Sequence, residues 1–186
     1  MMSEKWIFND IEKILVSEDR IKERVCELAA AIKSDYKDRD ILMVGILNGA
    51  VCFYVDLIKE LDLYLEMNFM RVSSYGVGTS TTGEIRIMYD LEVPLTGKDV
   101  LIVEDIIDSG VTMLNLKKLL LNRGAASVKS CVLLDKPSRR VVDVDADYVG
   151  FKIPDEFVVG YGLDYAGKYR NLKFIGTLKP EIYMND

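Results

Sequence analysis

The chain has 186 residues, of which 49% are hydrophobic, and a formal net charge of −6 at pH 7. This length is typical of one domain with a sizeable core, and the acidic balance argues against general nucleic-acid binding, which needs cations to neutralise phosphates. The sequence contains no histidine. Zinc sites built on imidazole and nucleophilic schemes with a histidine base are therefore excluded, and acid–base chemistry falls to Asp, Glu, Lys or Tyr.

Features of export or membrane insertion are absent from the sequence. No apolar run is long enough for a membrane span, and Met1 to Asp10 lacks the basic-then-apolar layout of a signal peptide. The three cysteines, Cys26, Cys52 and Cys131, lack CxxC spacing and are interpreted as small core residues in a reducing compartment. We therefore expect a cytoplasmic protein.

The first half of the chain alternates between helix and strand patterns. Ser17 before two acids predicts a helix start, and apolar residues then recur along one helix face, at Ile21, Val25, Leu28 and Ile32. The elements predicted next are a buried strand over 40–47, a helix through Lys59, a strand over 63–72 and a short strand over 85–89. Between these last two strands, the polar and glycine-punctuated stretch 73–83 predicts a mobile loop.

The second half continues the same alternation. The predicted elements are a strand from Val100, a helix over 111–121 ended by Arg123-Gly124, and strands over 127–134, 148–151 and 157–159. Strand–helix–strand alternation favours parallel pairing with right-handed crossovers. The predicted fold class is therefore α/β, with a doubly wound parallel sheet.

The segment VLIVEDIIDSGVT, over 100–112, is the most informative in the chain. Its near-continuous apolar run from Val100 is typical of a central parallel strand buried on both faces. Glu104 and Asp105 follow at the carboxyl end of that strand. Carboxylates are costly to bury there unless they meet a ligand, because that end of an open α/β sheet is where small molecules bind. The segment predicts a site for sugar-phosphate chemistry.

The residues that follow the acid pair predict an anion site. Ser109, Gly110, Val111 and Thr112 would place backbone N–H groups and two hydroxyls at a helix N-terminus, which suits a phosphate monoester. The alternative is plain N-capping by Asp108 or Ser109. The preceding acid pair favours the anion site, because capping gives no reason for two acids there.

A receiver-type signalling domain is a second way to interpret the acids at this strand end. Such a domain carries a phosphoacceptor aspartate there, but it would also need an acidic pair after its first strand. At that position this chain has Leu47-Asn48-Gly49, without acids. The receiver interpretation therefore stays a minor alternative.

Three segments together resemble one enzyme family. VEDIIDSG (103–110) is similar to the signature of purine phosphoribosyltransferases, and LLDKPSRR (133–140) and GFKIPDEFVVGYGLDYAGKYRNL (150–172) resemble the hypoxanthine-guanine branch. The resemblance implies one type I domain over 1–186, with a small hood built from the N-terminal residues and roughly 150–186. The implied reaction joins a 6-oxopurine to 5-phosphoribosyl 1-pyrophosphate and releases a nucleoside monophosphate and pyrophosphate.

The resemblance also implies roles for the ribose and purine sites. Glu104 and Asp105 would hold the ribose hydroxyls, directly or through Mg²⁺, and the loop from Asp108 to Thr112 would bind the 5-phosphate. Asp108 resembles the family's acceptor of the proton on purine N7. The implied purine-binding residues are Lys136, Phe157, Val158 and Asp164. Lys136 would donate to the exocyclic O6 and Phe157 would stack on the ring. The backbone of Val158 would bind the purine edge, with Asp164 beside the purine.

The pyrophosphate site is implied in the same way. Asp164 resembles the Mg²⁺ ligand beside the pyrophosphate, and Arg170 the cation that grips this leaving group. The family's pyrophosphate loop, which contains a cis peptide, corresponds to Leu47, Asn48 and Gly49. Asn48 stands where the family commonly has lysine, so we predict weaker binding of the phosphoribosyl donor. The family's lid corresponds to Ser73, Ser74 and Tyr75, whose closure would exclude water.

The expected partners are small-molecule substrates, with neither nucleic acid nor membrane, in a homodimer or homotetramer. The alternative is a non-catalytic regulator that senses the activated ribose with the same fold and binds nucleic acid, for which Lys136, Arg139 and Arg140 could form a basic patch. Catalysis is favoured because a sensor need not keep a base pocket, and this chain retains the residues Asp108, Lys136, Phe157, Asp164 and Arg170.

Overall fold

The structure is a computed structural model that describes residues 7–74 and 85–183. The strands are β1 (Ile11–Val16), β2 (Ile41–Ile46), β3 (Leu65–Ser74), β4 (Ile85–Tyr89), β5 (Asp99–Ile107), β6 (Ser127–Asp135), β7 (Tyr148–Lys152), β8 (Val158–Val159) and β9 (Ile175–Leu178). The helices are α1 (Glu18–Asp35), α2 (Val51–Lys59), α3 (Val111–Asn122) and α4 (Pro180–Tyr183), with short 3-10 turns at Ile7–Asp10 and Pro137–Arg139.

Six of the strands form one sheet in the order β4-β3-β2-β5-β6-β7. All neighbours in this sheet are parallel except β3 and β4, which are antiparallel. The ten residues 75–84 that separate β3 from β4 are too few for a crossover, which needs a dozen or more residues. The predicted doubly wound α/β sheet is confirmed, with one antiparallel edge strand added.

Helices cover the sheet on both faces and enclose two apolar cores. One core holds the buried face of α1, with Ile21, Val25, Leu28 and Ile32, together with α2. The other core packs α3 against the opposite face of β2 and β5. Every residue of β2 is buried, which explains why its sequence is a continuous apolar run rather than an alternating one. The predicted start of α1 is also correct, since Ser17 is its N-cap.

A second, smaller sheet pairs β1, β9 and β8 in antiparallel fashion. Neither β1 nor β9 was predicted from the sequence. Thr177 lies opposite Val158 in this sheet, and β9 also pairs with β1, so β8 is joined through β9 to a strand from a distant part of the chain.

The cysteines are less uniform than expected. Cys131 is buried and Cys52 is half-buried, but Cys26 is exposed, so its assignment to the core was wrong. The reason is helical geometry, since Cys26 lies one residue beyond Val25 and is therefore rotated about 100° away from the apolar face of α1. Across the residues that the structure describes, no helix is long and apolar enough to cross a membrane.

Candidate active site

The acid pair Glu104-Asp105 and the loop after β2 meet where the strand order of the large sheet reverses, between β2 and β5. β2 and β5 are parallel neighbours, and α2 and α3, which follow them, pack on opposite faces of the sheet. Such a point opens a crevice at the carboxyl ends of the strands. A Cβ atom added to Gly49 would lie 1.5 Å from Asp105 Oδ2. The backbone at Gly49 therefore lies directly against the Asp105 carboxylate.

Glu104 and Asp105 form a half-buried acid pair that its surroundings satisfy only in part. The Ile106 backbone N–H donates to Asp105 Oδ1 at 2.8 Å, whereas Glu104 Oε2 is buried without a hydrogen-bond partner among the described residues. Burial raises the pKa of Glu104 well above its usual range, and the neighbouring Asp105 raises it further. Burial also raises the pKa of Asp105. An acid pair with an orphaned oxygen suits a sugar hydroxyl or a hard cation.

These residues fit Mg²⁺ as a shared rather than a protein-enclosed ion. Among the described residues, no three Asp, Glu or Cys side chains come close enough together to hold a metal ion. Mg²⁺ commonly keeps several waters and is held by one or two carboxylates plus substrate phosphates. The acid pair could supply such carboxylates, with the remaining oxygens coming from substrate and water.

A cavity of about 150 Å³ lies between the acid pair and the start of α3. A cavity of this volume can hold a molecule the size of benzene, so it has room for a phosphate group. Its lining residues are Glu104, Asp105, Ile106, Ile107, Asp108, Ser109, Gly110, Thr112 and Met113. Most of the predicted phosphate loop, with the exception of Val111, thus lines one cavity.

The start of α3 is not N-capped by the side chain of Asp108 or Ser109, which was the alternative to an anion site. Its N-cap residue is Gly110, with φ of 85° and no side-chain cap hydrogen bond, rather than Asp108 or Ser109. Ser109 Oγ accepts a long hydrogen bond of 3.4 Å from the Val111 N–H. The positive end of a twelve-residue helix therefore faces the cavity, and this favours the anion site over plain capping.

Asp108 lies at the rim of this cavity and contacts two arginines. Arg139 Nε lies 3.2 Å from Asp108 Oδ1, and the Arg140 guanidinium donates to the Asp108 carbonyl oxygen. Arg139 Nη1 also lies 3.7 Å from an oxygen of Asp155. The predicted proton acceptor is thus ionically paired with an exposed arginine in this structure.

The predicted purine-binding residues lie at the end of β6 and at the start of β8. Lys136 is only 8% exposed, and its ammonium lies 3.8 Å from Asp155 Oδ1, too far for a hydrogen bond. Phe157 is 46% exposed, although its ring makes an edge contact with Tyr165 and stacks on Tyr183 at 5.9 Å. Val158 is buried in β8. Lys136 thus lies near Asp155, two residues before Phe157 in the chain, and a lysine ammonium together with an exposed aromatic ring can bind a flat polar ligand.

Asp164 and Arg170 are paired with each other, and Arg170 also binds Gly162, whose backbone lies against the loop after β2. Arg170 pairs with Asp164 at 2.6 Å and donates to the Gly162 carbonyl at 2.5 Å. A Cβ atom added to Gly162 would lie 2.0 Å from the Gly49 carbonyl oxygen, so the turn lies against the predicted pyrophosphate loop. The Leu47–Asn48 peptide in that loop is cis.

The predicted lid lies mostly outside what can be described. Ser73 is exposed near the end of β3, and Ser74 pairs with Ile85 through its backbone. Tyr75 and the rest of the loop to Gly83 lie outside the described residues. The role of Ser73, Ser74 and Tyr75 as a lid therefore stays a prediction.

The contacts of four residues at the site were not predicted from the sequence. Gly162 supports the pyrophosphate loop, Arg139 pairs with Asp108, and Arg140 forms an ion pair with the buried Asp135. The positive φ of Gly162 has a sequence signal, since it lies in Gly160-Tyr161-Gly162, a glycine-rich turn. The side-chain directions of the two arginines have no such signal.

Comparison with known proteins places this geometry in a family. The family described as the phosphoribosyl transferase domain matches residues 13–166. The hypoxanthine-guanine phosphoribosyltransferase of Bacillus subtilis strain 168 is 55% identical over 175 residues, covering 94% of this chain and 97% of that protein. A bifunctional TilS/HprT protein of Listeria monocytogenes is 56% identical over 175 residues, but this chain spans only 27% of its length.

Solved structures give the same result at the level of the fold. A hypoxanthine phosphoribosyltransferase from Staphylococcus aureus superposes with a TM-score of 0.93 at 49% identity, covering 97% of this chain and 98% of that one. The matched span, the curated relatives and the shared fold agree with the resemblance noted in the sequence. The chain belongs to the phosphoribosyltransferase family, among relatives named hypoxanthine-guanine phosphoribosyltransferases.

Proposed function

We propose that this chain catalyses purine salvage, transferring the 5-phosphoribosyl group of 5-phosphoribosyl 1-pyrophosphate to hypoxanthine or guanine. The observation that carries this proposal is one juxtaposition at the carboxyl ends of β5 and β6. There, an incompletely satisfied acid pair, a cavity at a helix N-terminus and the buried Lys136 ammonium lie side by side. These three features match a sugar diol, a phosphate and a polar base.

The ribose and its phosphate would occupy the cavity at the start of α3. Glu104 and Asp105 accept hydrogen bonds from the ribose hydroxyls, while the N–H groups and hydroxyls from Ser109 to Thr112 bind the 5-phosphate. The buried Glu104 Oε2 atom supports this assignment, because a hydroxyl donor would supply the hydrogen bond that it lacks among the described residues. The sugar is thereby fixed with its C1 carbon toward the purine residues.

Mg²⁺ is the proposed cofactor. Glu104 and Asp105 would hold it on the ribose side and Asp164 on the pyrophosphate side. When bound, Mg²⁺ supplies positive charge that stabilises the departing pyrophosphate. Asp164 pairs with Arg170 at 2.6 Å, and its carboxylate has further lone pairs for the ion, so both side chains can act on the leaving group together.

The purine would stack on Phe157 and be identified through its O6 atom. The Lys136 ammonium donates to a 6-oxo group, whereas the 6-amino group of adenine would place donor against donor. Asp108 accepts the proton from purine N7 as N9 bonds to ribose C1. The Arg139 contact at 3.2 Å is on an exposed side chain, so it can give way when the base arrives.

Bond breaking at ribose C1 would develop positive charge on the sugar and negative charge on pyrophosphate. The bond from C1 to the pyrophosphate oxygen breaks, its electron pair leaves with pyrophosphate, and the N9–C1 bond forms. Arg170 and the backbone at Asn48 and Gly49 bind the departing group. Closure of the lid at Ser73, Ser74 and Tyr75 keeps water from intercepting the cationic sugar.

We also propose a hood, an oligomeric state and a cellular location for this chain. The small sheet of β1, β9 and β8 would act as the hood of a single domain, and the chain would work as a homodimer or homotetramer in the cytoplasm. Nucleic acid and membrane are not expected partners. Against a nucleic-acid-binding patch, Lys136, Arg139 and Arg140 each face carboxylates of this chain.

The first experiment is product formation with purified protein, Mg²⁺, the phosphoribosyl donor and hypoxanthine. We expect inosine monophosphate from the wild type and a rate reduced by about 100-fold in Asp108→Asn, whose amide is a poor proton acceptor. Donor binding without product in any condition would instead support a regulator that senses the activated ribose. A gel shift repeated across salt concentrations would then test nucleic-acid binding.

A further inference from the structure

Arg140 bridges the two strand ends that carry the proposed phosphate and purine sites. Its side chain is 15% exposed and its Nη2 lies 2.5 Å from Asp135 Oδ1, in a carboxylate that is 8% exposed. The same guanidinium donates to the Asp108 carbonyl oxygen through Nη1. Asp108 follows β5 and Asp135 ends β6, immediately before Lys136. The Arg140 side chain thus connects Asp108, at the start of the phosphate loop, with Asp135, which precedes Lys136.

The segment after Arg140 lies along the phosphate loop. The Val141 N–H donates to the Ser109 carbonyl at 3.0 Å. A Cβ atom added to Gly110 would lie 2.7 Å from Val144 Cγ1 and 2.8 Å from Arg140 Cδ. The loop that faces the phosphate cavity is therefore packed from behind by the Arg140 stem and its neighbours.

A buried ion pair is a weak explanation for stability alone. Taking two charges out of water costs about as much as their attraction returns, and apolar residues of similar volume often stabilise a fold equally well. What an apolar residue cannot supply is the planar fork of arginine, which donates in two fixed directions at once. The geometry of Arg140 therefore fits a need for precise placement of the phosphate loop relative to β6.

We propose that Arg140, held by Asp135, is a positioning residue that fixes the 5-phosphate loop relative to Lys136 and so couples phosphate binding to purine recognition. This inference rests on the proposed function, since it assumes that the cavity binds the 5-phosphate. Arg140 touches neither ligand in this account, because it acts through the Asp108 carbonyl and through Asp135. Misplacement of a binding group by about 1 Å can reduce activity about 100-fold.

The test compares the affinity of the protein for inosine monophosphate with that for inosine, which lacks the phosphate. The ratio of the two dissociation constants, measured by calorimetry, isolates the phosphate contribution without any turnover. In Arg140→Met we expect the preference for the monophosphate to fall about tenfold. In Arg140→Lys, which keeps the charge but loses the fork, we expect an intermediate fall. The KM for the phosphoribosyl donor should rise in the same order.

Arg123→Met is the matched control. Arg123 also binds a carboxylate with two nitrogens, which lie 2.6 and 2.7 Å from the Asp90 oxygens. It is the C-cap of α3 and therefore lies at the opposite end of that helix from the phosphate loop. We expect it to lower the melting temperature and leave the affinity ratio unchanged. If Arg140→Met does not fold, Asp135→Asn takes its place, because it removes the charge that orients Arg140, and the same direction of change is expected.

The possible failures are distinguishable. A wild-type protein that does not prefer the monophosphate over inosine contradicts the proposed function itself. A wild-type preference that survives unchanged in the folded Arg140 and Asp135 variants contradicts only the positioning role. A lower melting temperature with an unchanged ratio means that Arg140 is merely structural, which also overturns the inference.

Discussion

Gly49 and Asp105 touch across the carboxyl ends of β2 and β5, so closely that a Cβ atom at position 49 would lie 1.5 Å from Asp105 Oδ2. The contact joins the proposed pyrophosphate loop to the proposed ribose site. The Gly49 carbonyl oxygen in turn would lie 2.0 Å from a Cβ atom added to Gly162. Two substrate-binding regions and the turn that carries Arg170 are thus packed on one glycine.

Gly49→Ala should disable the site without unfolding the protein. The methyl group must displace either the Asp105 carboxylate or the loop, and such a shift can reduce activity about 100-fold. We expect kcat/KM for the phosphoribosyl donor to fall by that order. Gly97→Ala is the control, because its Cβ would meet nothing within 4 Å and its φ of 76° strains only a surface turn. A Gly49→Ala enzyme with normal donor kinetics would refute this packing argument.

Asn48→Lys should tighten binding of the phosphoribosyl donor. Asn48 is exposed in the loop after β2, so a longer side chain has room, and an ammonium adds attraction to pyrophosphate. We expect the KM for the donor to fall by about three- to tenfold. Asn48→Gln is the control for length without charge and should leave the KM near the wild-type value. An unchanged KM in Asn48→Lys would mean that the loop does not need the charge.

Lys136→Met should selectively weaken the use of 6-oxopurines. A hydrogen bond from a charged donor contributes about 1.5–3 kcal/mol, so kcat/KM for hypoxanthine should fall by about 10- to 100-fold. Lys152→Met, which removes an exposed lysine on the neighbouring strand β7, is the control and should change little. Equal kinetics in the two variants would remove Lys136 from the base site.

Glu104→Gln should stabilise the free protein while impairing its activity. Burial raises the pKa of Glu104 well above its usual value of 4.5, so the folded protein holds this proton more tightly than the unfolded chain. The contribution of this group to stability therefore falls as pH rises from 4.5 through the raised value. Removing the charge should increase the free energy of unfolding at pH 8 by about 1–3 kcal/mol.

The gain from Glu104→Gln should shrink on acidification and be lost below about pH 4.5, where the carboxyl group is protonated in both states. Thermal melts at several pH values measure this dependence directly. Glu92→Gln, at an exposed position, is the control and should show no such trend. A Glu104→Gln protein that is less stable than wild type at pH 8 would contradict the conclusion that the Glu104 charge destabilises the folded state.

The large sheet was predictable from sequence, whereas the small one was not. β2 and β5 lie in the centre of the large sheet; β2 is buried throughout and β5 over 100–103, so their apolar runs are unmistakable. β8 was predicted as part of a short strand over 157–159, but β1 and β9 were not. β1 has only one fully buried residue, so it carries no periodic signal of its own, and its pairing depends on β9, which is distant in the chain.

The candidate site divides in the same way. Glu104, Asp105 and the phosphate loop were predictable because their position at the carboxyl end of a buried strand has a physical meaning. The contact between Gly49 and Asp105 joins residues from different strands, and no local pattern encodes it. The Arg140–Asp135 pair is only five residues apart, but its formation depends on side-chain direction around the turn after β6, which residue types alone do not determine.

The most direct test of the proposed function is a comparison of four bases with the wild-type protein. Hypoxanthine, guanine, xanthine and adenine would be offered separately with the phosphoribosyl donor and Mg²⁺, and kcat/KM measured for each. We predict monophosphate from one or more of the 6-oxopurines and essentially none from adenine, because Lys136 opposes a 6-amino group. Adenine used as well as hypoxanthine, or no product from any base, would contradict it.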